Sequence, residues 1–277
     1  MFNRPTRTIL CPSCGRLTRA DADECLICGR RRPGMWGLRD VLRRVFRTGS
    51  PTQLITIACI GLYVLSLVID PAAALRPRGP FEIFSPSGYA LQSLGATGAF
   101  AWAHGAWWTL VTAIYLHGSL LHIVFNLLWI HQLAPAVGEA YGQARLAVIF
   151  TAAGVIGFVV SNVAGVPLTI GASGAVFGLL GAMVRYGRSR GGVFGMAVFR
   201  QYWHWSLVIF VMGFLMPGVN NLAHAGGFLG GYLAALVVRH EAETREGAVH
   251  RLAAVAVLVL TAACFVLAIS TAYRTLR

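Results

Sequence analysis

Seven apolar stretches dominate this chain and leave little of it for a water-soluble core. They run over 53–69, 120–137, 146–163, 168–184, 203–216, 221–238 and 252–272. Crossing a hydrocarbon core of roughly 30 Å takes about 20 helical residues, and helices buried in protein can be shorter. With 56% hydrophobic and 12% charged residues among 277, the chain has too few polar groups to coat a soluble globule. The sequence therefore predicts an all-α polytopic membrane protein with seven transmembrane helices.

The positions of the arginines predict the orientation of these helices. All 23 basic residues are arginines, and eleven of them precede the first apolar stretch. A cytosolic N-terminus, expected because 1–50 contains no secretory signal, places nineteen arginines on the cytosolic side and four outside. The net charge of +13 then reflects helix orientation and contact with anionic lipid, and nucleic acid is not an expected partner.

Two C-x-x-C-G pairs, ten residues apart, lie near the N-terminus and comprise Cys11, Cys14, Cys25 and Cys28. Four thiolates on paired tight turns suit one tetrahedral zinc ion, and a reducing cytosol argues against disulfides. The spacing predicts a cytosolic zinc-ribbon-like module at 1–33 with one structural zinc, followed by a basic juxtamembrane linker at 34–52. Two redox-active or degenerate pairs without metal are the alternative.

Three of the predicted helices carry polar side chains near their external ends. His122 and Asn126, four residues apart on one helix face, lie on the second, Ser173 on the fourth and His224 on the sixth. Ionisable residues at membrane depth are costly and usually functional. Serine and histidine at one level suit a nucleophile and its base, and no intramembrane carboxylate offers a third member. The sequence predicts a Ser173–His224 dyad. A long external segment, 70–119, joins the first two predicted helices, and its three tryptophans indicate a structure lying in the membrane interface. His117 is expected to brace this external segment through a hydrogen bond.

The surroundings of the serine can also be predicted. A tetrahedral oxyanion needs donors, and the Ser173 backbone N–H, the His122 ring and the Asn126 amide are the candidates. Counting twelve residues back from Arg185, taken as the end of the fourth helix, places the serine about 10 Å below the external surface. The preceding residues, 167–171, are expected to be non-helical backbone that lines a water-filled cavity.

Glycines recur at four-residue spacing in the helices of the serine and the histidine. Gly174 and Gly178 lie in the fourth helix, and Gly227 and Gly231 in the sixth. Such spacing lets membrane helices approach closely, which is needed for the two side chains to meet. The alternative is ordinary helix packing, for which the same pattern is common.

These motifs resemble those of the rhomboid family of intramembrane serine proteases. The resemblance covers about 53–240 and rests on three segments in the family's order: HGSLLHIVFN at 117–126, GASG at 171–174 and AHAGG at 223–227. It implies a rhomboid-like six-helix bundle at 53–240. A linker and a seventh C-terminal transmembrane helix are expected within 241–277.

The resemblance also implies residue roles and a substrate class. Ser173 matches the nucleophile, His224 the base, and His122 with Asn126 the oxyanion hole, while Phe177 stands where an aromatic ring packs on the histidine. Expected substrates are single-pass transmembrane proteins, cut in or near the membrane with no catalytic cofactor. A catalytically inactive binder of transmembrane clients is the alternative. The expected location is a bacterial inner membrane. Three roles stay open for the zinc module: positioning the enzyme, binding an unidentified cytosolic partner, or regulating access.

Overall fold

The computed structural model describes residues 8–11, 14, 16–19, 22–29, 50–76, 79, 82–240 and 246–275. The chain divides into two compact units, Met1–Gln53 and Leu54–Arg277. The predicted linker, up to residue 49, and the segment 241–245 lie outside the described residues.

A two-stranded hairpin forms the described core of the N-terminal unit. Strands β1 (Thr8–Leu10) and β2 (Leu17–Arg19) pair in antiparallel register, with Ile9 opposite Thr18. Cys11 follows β1 directly, and its backbone N–H donates to Arg16 O at 2.7 Å, which closes the turn. The hairpin therefore fixes the first cysteine pair at its tip.

Helices make up nearly all of the remaining described chain. In order they are α1 (Pro51–Ile69), α2 (Pro71–Ala74), α3 (Gly88–Ser93), α4 (Ala99–Ala103), α5 (Thr109–Thr112), α6 (Leu120–Tyr141), α7 (Gln143–Val163), α8 (Ser173–Arg190), α9 (Gly192–Leu215), α10 (Asn221–Val238) and α11 (Ala248–Thr275), with a 3-10 turn at Ala113–Tyr115 between α5 and α6. Within the described residues, α1, α6, α7, α10 and α11 are long and apolar enough to cross a membrane. The chain is a polytopic helical membrane protein.

Helix α8 is the central helix of the bundle. It packs against α6, α7, α9 and α10, and every residue from 174 to 184 is buried. Glycine makes this packing close: a side chain at Gly227 would collide with the backbone of Gly174, and one at Gly231 with that of Gly178. The α8 and α10 backbones are thus in direct contact along two turns.

Several helix limits differ from the sequence-based expectation. Helix α8 begins at Ser173 rather than 168 and continues five residues beyond Arg185, with Arg188 and Arg190 in its last turn, where the helix dipole favours positive charge. Helix α9 begins at Gly192, eleven residues before the predicted 203. Charged residues therefore lie inside these helices rather than marking their ends.

Arg145 was expected in a connecting segment and instead lies inside α7. Its side chain is fully buried, and Nη1 donates to Tyr141 O at 2.8 Å. A buried arginine needs hydrogen-bond acceptors, and a carbonyl near the end of α6 supplies one. This arginine thus donates to a protein carbonyl inside the bundle.

Candidate active site

Ser173 and His224 are brought together at the N-terminal ends of α8 and α10. His224 Nε2 lies 2.9 Å from Ser173 Oγ. Helix α10 is fixed at this end by Asn220, whose Oδ1 accepts from Ala223 N at 3.1 Å. The contact between the serine and the histidine therefore lies where the N-terminal ends of α8 and α10 pack closely together.

Two neighbours fix the orientation of the His224 ring. Asn221 Oδ1 lies 3.2 Å from Nδ1, and the Phe177 ring stacks on the imidazole with centroids 4.3 Å apart at 17°. An amide oxygen only accepts hydrogen bonds, so Nδ1 carries the ring proton. Nε2 is then left with a lone pair that accepts from the Ser173 hydroxyl.

Asn221 was not predicted from the sequence, because only a carboxylate was considered as the partner of the histidine. The signal was present, since an asparagine three residues before His224 lies on the same helix face. An amide can hold a histidine tautomer without adding a charge at membrane depth.

The His122 ring has the opposite proton arrangement. Gly118 N–H donates to Nδ1 at 3.2 Å, so the neutral ring carries its proton on Nε2. That atom faces Gly171, where a Cβ would lie only 2.6 Å from it, and Gly171 also has a φ of +117°, which favours glycine. His122 therefore points an N–H donor at the backbone just before Ser173.

Asn126 lies one turn further along α6 and is buried. Its Nδ2 donates to His122 O at 2.8 Å. An amide has two N–H donors, so this bond orients the side chain and leaves the second donor for another acceptor.

Hydrogen bonds on both sides hold the loop that precedes Ser173. Residues 164–172 are non-helical, and Thr169 pairs with Thr97 by backbone bonds of 2.7 and 3.3 Å. Asn220 Nδ2 donates to Thr169 Oγ1 at 3.1 Å, and Gly171 N donates to Ala113 O at 2.9 Å. The loop is thereby tied to the external segment and to the cap of α10.

His117 connects the external segment to His122. It is fully buried, its Nδ1 lies 3.2 Å from Tyr115 O, and its ring meets the His122 ring edge to face with centroids 5.1 Å apart. Burial, and next the neighbouring His122, lower the pKa of His117 well below its usual range, so the ring is neutral. The expected hydrogen bond to the external segment is present.

The cysteines form a second candidate site. The Sγ atoms of Cys11, Cys14, Cys25 and Cys28 all lie within 4.8 Å of one another, and none is in a disulfide. The distances are 3.7 Å between Cys11 and Cys28 and 3.9 Å between Cys14 and Cys25. A tetrahedral site with metal–sulfur bonds of about 2.3 Å has sulfur–sulfur edges of about 3.8 Å. The four thiols can therefore bind one metal ion.

The backbone around Cys25 favours the thiolate that such a site needs. Hydrogen bonds from the backbone of Ile27, and next of Cys28, lower the pKa of Cys25 to about 6. The geometry of the turn thus supports deprotonation at neutral pH.

The fold and the site together define a helical membrane protein with a serine–histidine pair at the ends of two closely packed helices. A rhomboid-domain family model matches residues 104–241. Among similar proteins, Rhomboid protease GluP from Bacillus subtilis (strain 168) is 32% identical over 191 residues, which cover 69% of this chain and 36% of that protein. Putative rhomboid protease YdcA from the same organism is 32% identical over 146 residues, which cover 52% of this chain and 73% of that protein. RHOMBOID-like protein 1 from Arabidopsis thaliana is 27% identical over 206 residues, which cover 66% of this chain and 51% of that protein.

The chain belongs to the rhomboid family. It spans about a third of the length of GluP and about three quarters of that of YdcA.

Proposed function

We propose that this chain is an intramembrane serine protease that hydrolyses peptide bonds in or near transmembrane segments. The observation that carries the proposal is the 2.9 Å contact between Ser173 Oγ and His224 Nε2 in a membrane bundle. Family membership and relatives named as proteases support the same activity. An inactive binder of transmembrane clients has no need of a hydroxyl and an imidazole in this arrangement.

In the proposed reaction, Ser173 Oγ attacks the substrate carbonyl carbon while its proton passes to His224 Nε2. The C–N bond then breaks, and the same proton passes from Nε2 to the leaving amine. Water hydrolyses the acyl-enzyme by the same route in reverse order. Asn221 Oδ1 accepts from Nδ1–H throughout, so it orients the ring and stabilises the imidazolium that forms.

Three donors are proposed to stabilise the oxyanion where it would develop. His122 presents Nε2–H, Asn126 has a second amide N–H, and the Ser173 backbone N–H lies at the positive end of the α8 dipole. Stabilisation by such donors is often worth several kcal/mol in acyl transfer. These residues are the proposed oxyanion hole.

The expected substrates are single-pass transmembrane proteins, because the bundle presents its site among membrane-spanning helices. A substrate of this class reaches the site through lipid, and the expected products leave on either side of the membrane. The arginine distribution supports a cytosolic N-terminus, and reporter fusions at the two chain ends would test that orientation. A bacterial inner membrane is the proposed location.

The activity is tested with a quenched single-span transmembrane peptide and a fluorophosphonate probe in detergent. Wild-type protein should cleave the peptide and be labelled by the probe, whereas Ser173→Ala should do neither. His224→Ala should cleave at the background rate while still folding, as a cooperative thermal transition would show. Cleavage by folded Ser173→Ala at the wild-type rate would exclude this function.

For the N-terminal unit, zinc is the metal that the four thiols suit best, because a closed set of sulfur ligands is typical of structural zinc. Such a site stabilises a module too short to build a sufficient apolar core, with no role in the cleavage step. Freshly purified, reduced protein should contain about one equivalent of zinc. The double variant Cys14→Ser, Cys28→Ser should contain none and still cleave the peptide.

A further inference from the structure

The seventh long helix, α11, lies beyond the segment that the rhomboid-domain model matches, 104–241. It nevertheless packs on the external segment that supports the site. The Phe265 ring meets the Tyr115 ring edge to face with centroids 5.9 Å apart. One turn further, buried Ala268 lies against Gly95, where a Cβ would be 3.0 Å from the alanine Cβ.

The Ala113–Tyr115 turn that α11 contacts is hydrogen-bonded both to the loop before Ser173 and to His117, which packs on His122. Ala113 O accepts from Gly171 N, two residues before Ser173, at 2.9 Å. Tyr115 O lies 3.2 Å from Nδ1 of His117. The serine loop and the histidine that packs on His122 thus have a common support.

The turn is a 3-10 turn of only three residues, closed by Leu116 N donating to Ala113 O at 3.3 Å, so its position depends on the side chains that pack around it. The Tyr115 side chain is buried between Phe265 of α11 and Phe150 of α7, whose ring centroid is 6.4 Å away. The Phe265 ring of α11 therefore packs directly on the residue that ends the turn.

We infer that α11 positions the active site through Phe265 and Tyr115, and that Phe265 is a positioning residue for the cleavage step. Loss of the Phe265 ring would let the Ala113–Tyr115 turn shift, and with it Gly171 and His117. Both shifts act on the reacting atoms and the oxyanion donor rather than on substrate docking. The inference rests on the proposed protease function.

The test compares Phe265→Ala with Val266→Ala in the full-length protein. Val266 is the next residue and is 67% exposed toward lipid, so it controls for a side-chain truncation on the same helix. With the quenched transmembrane peptide, Phe265→Ala should lower kcat about tenfold with KM nearly unchanged, and Val266→Ala should match wild type. The rate of Ser173 labelling by the fluorophosphonate should fall in parallel, because the probe uses the same hydroxyl and donors.

Phe265→Leu keeps much of the buried volume but loses the ring contact with Tyr115, so its kcat should lie between those of Phe265→Ala and wild type. A kcat clearly below wild type in Phe265→Leu decides the question if Phe265→Ala does not fold. A folded Phe265→Ala or Phe265→Leu series with wild-type kcat and labelling rate would overturn the inference and leave the protease function standing. A rise in KM with unchanged kcat would also overturn it, since that result places α11 in substrate binding. A wild-type chain that is neither labelled nor active would instead refute the proposed function, and the inference with it.

Discussion

Replacing Asn221 by alanine tests whether the site is a bare dyad or depends on a third residue. The asparagine oxygen is 3.2 Å from His224 Nδ1, and no carboxylate takes this place among the described residues. Alanine removes the acceptor that fixes the tautomer and that faces the positive ring during proton transfer. The ring then loses a hydrogen bond that strengthens only as the transition state develops.

The size of the effect follows from the charge that the ring acquires. A hydrogen bond to a charged partner contributes about 1.5–3 kcal/mol, and 2 kcal/mol corresponds to about a 30-fold change in rate. Asn221→Ala should therefore lower kcat about 30-fold with little change in KM, because the bond adds little to ground-state binding. Asn221→Asp keeps an acceptor at the same place and should restore most of the rate.

A second variant moves Asn221 without removing it. A side chain at Gly213 of α9 would collide with Asn221 Oδ1, so Gly213→Ala should also lower kcat. Gly61→Ala is the matched control, since a Cβ at Gly61 meets nothing within 4 Å. Peptide cleavage measured beside melting temperature separates catalysis from folding. Wild-type kcat in folded Asn221→Ala would refute the role of the asparagine and leave the dyad.

The remaining predictions concern the donors, the helix contact and pH. His122→Ala and Asn126→Ala should each lower kcat by about two orders of magnitude, which corresponds to about 3 kcal/mol. Wild-type kcat in both variants would refute the assignment of these residues to the oxyanion hole. Gly227→Val should lower melting temperature and cleavage together because its side chain meets the α8 backbone, and a stable, active variant would contradict that contact. The pKa of His117 is lower in the folded chain than in the unfolded chain. As pH falls below about 6.5, the unfolded chain therefore binds more protons than the folded chain. The free energy of unfolding should then fall by up to about 1.4 kcal/mol per pH unit. This dependence should be weaker in His117→Gln, as measured by denaturant titration between pH 5 and 7, and an identical slope would argue against a buried neutral ring.

Much of the helical architecture could be predicted because hydropathy and arginine placement report directly on membrane crossing. The seven predicted stretches each fall largely within one long helix of the described chain. The non-helical backbone before Ser173 was also expected, since the motif precedes a helix start. Periodicity and charge were sufficient for these features.

Helix limits could not be predicted where protein, rather than lipid, surrounds the chain. Arg185 was taken as a helix end because a charge normally marks the interface, yet α8 continues to Arg190. Arg145 was placed between two predicted helices for the same reason, yet it lies in α7 and donates to a carbonyl of α6 inside the bundle. Hydropathy rules assume lipid as the solvent and fail for such side chains.

The support of the site depends on contacts that no local pattern encodes. The external segment was predicted only as an interfacial structure, whereas its Ala113–Tyr115 turn accepts from Gly171 N, in a loop more than fifty residues away in sequence. Similarly, no sequence motif links Tyr115 to Phe265 of α11. These pairings follow from tertiary packing.

The two site histidines have different proposed roles, and their neighbours account for the difference. His224 meets an acceptor at Nδ1 and so offers a lone pair at Nε2, while His122 meets a donor at Nδ1 and so offers a proton at Nε2. Exchanging the two tautomers would abolish both proposed roles. His224 Nε2 would then carry a proton and could not accept one from Ser173, and His122 Nε2 would present a lone pair that repels the oxyanion. In the proposed mechanism, Asn221 and the Gly118 N–H therefore matter as much as the two rings that they orient. An imidazole at membrane depth becomes a base or a donor according to the single hydrogen bond on its far side.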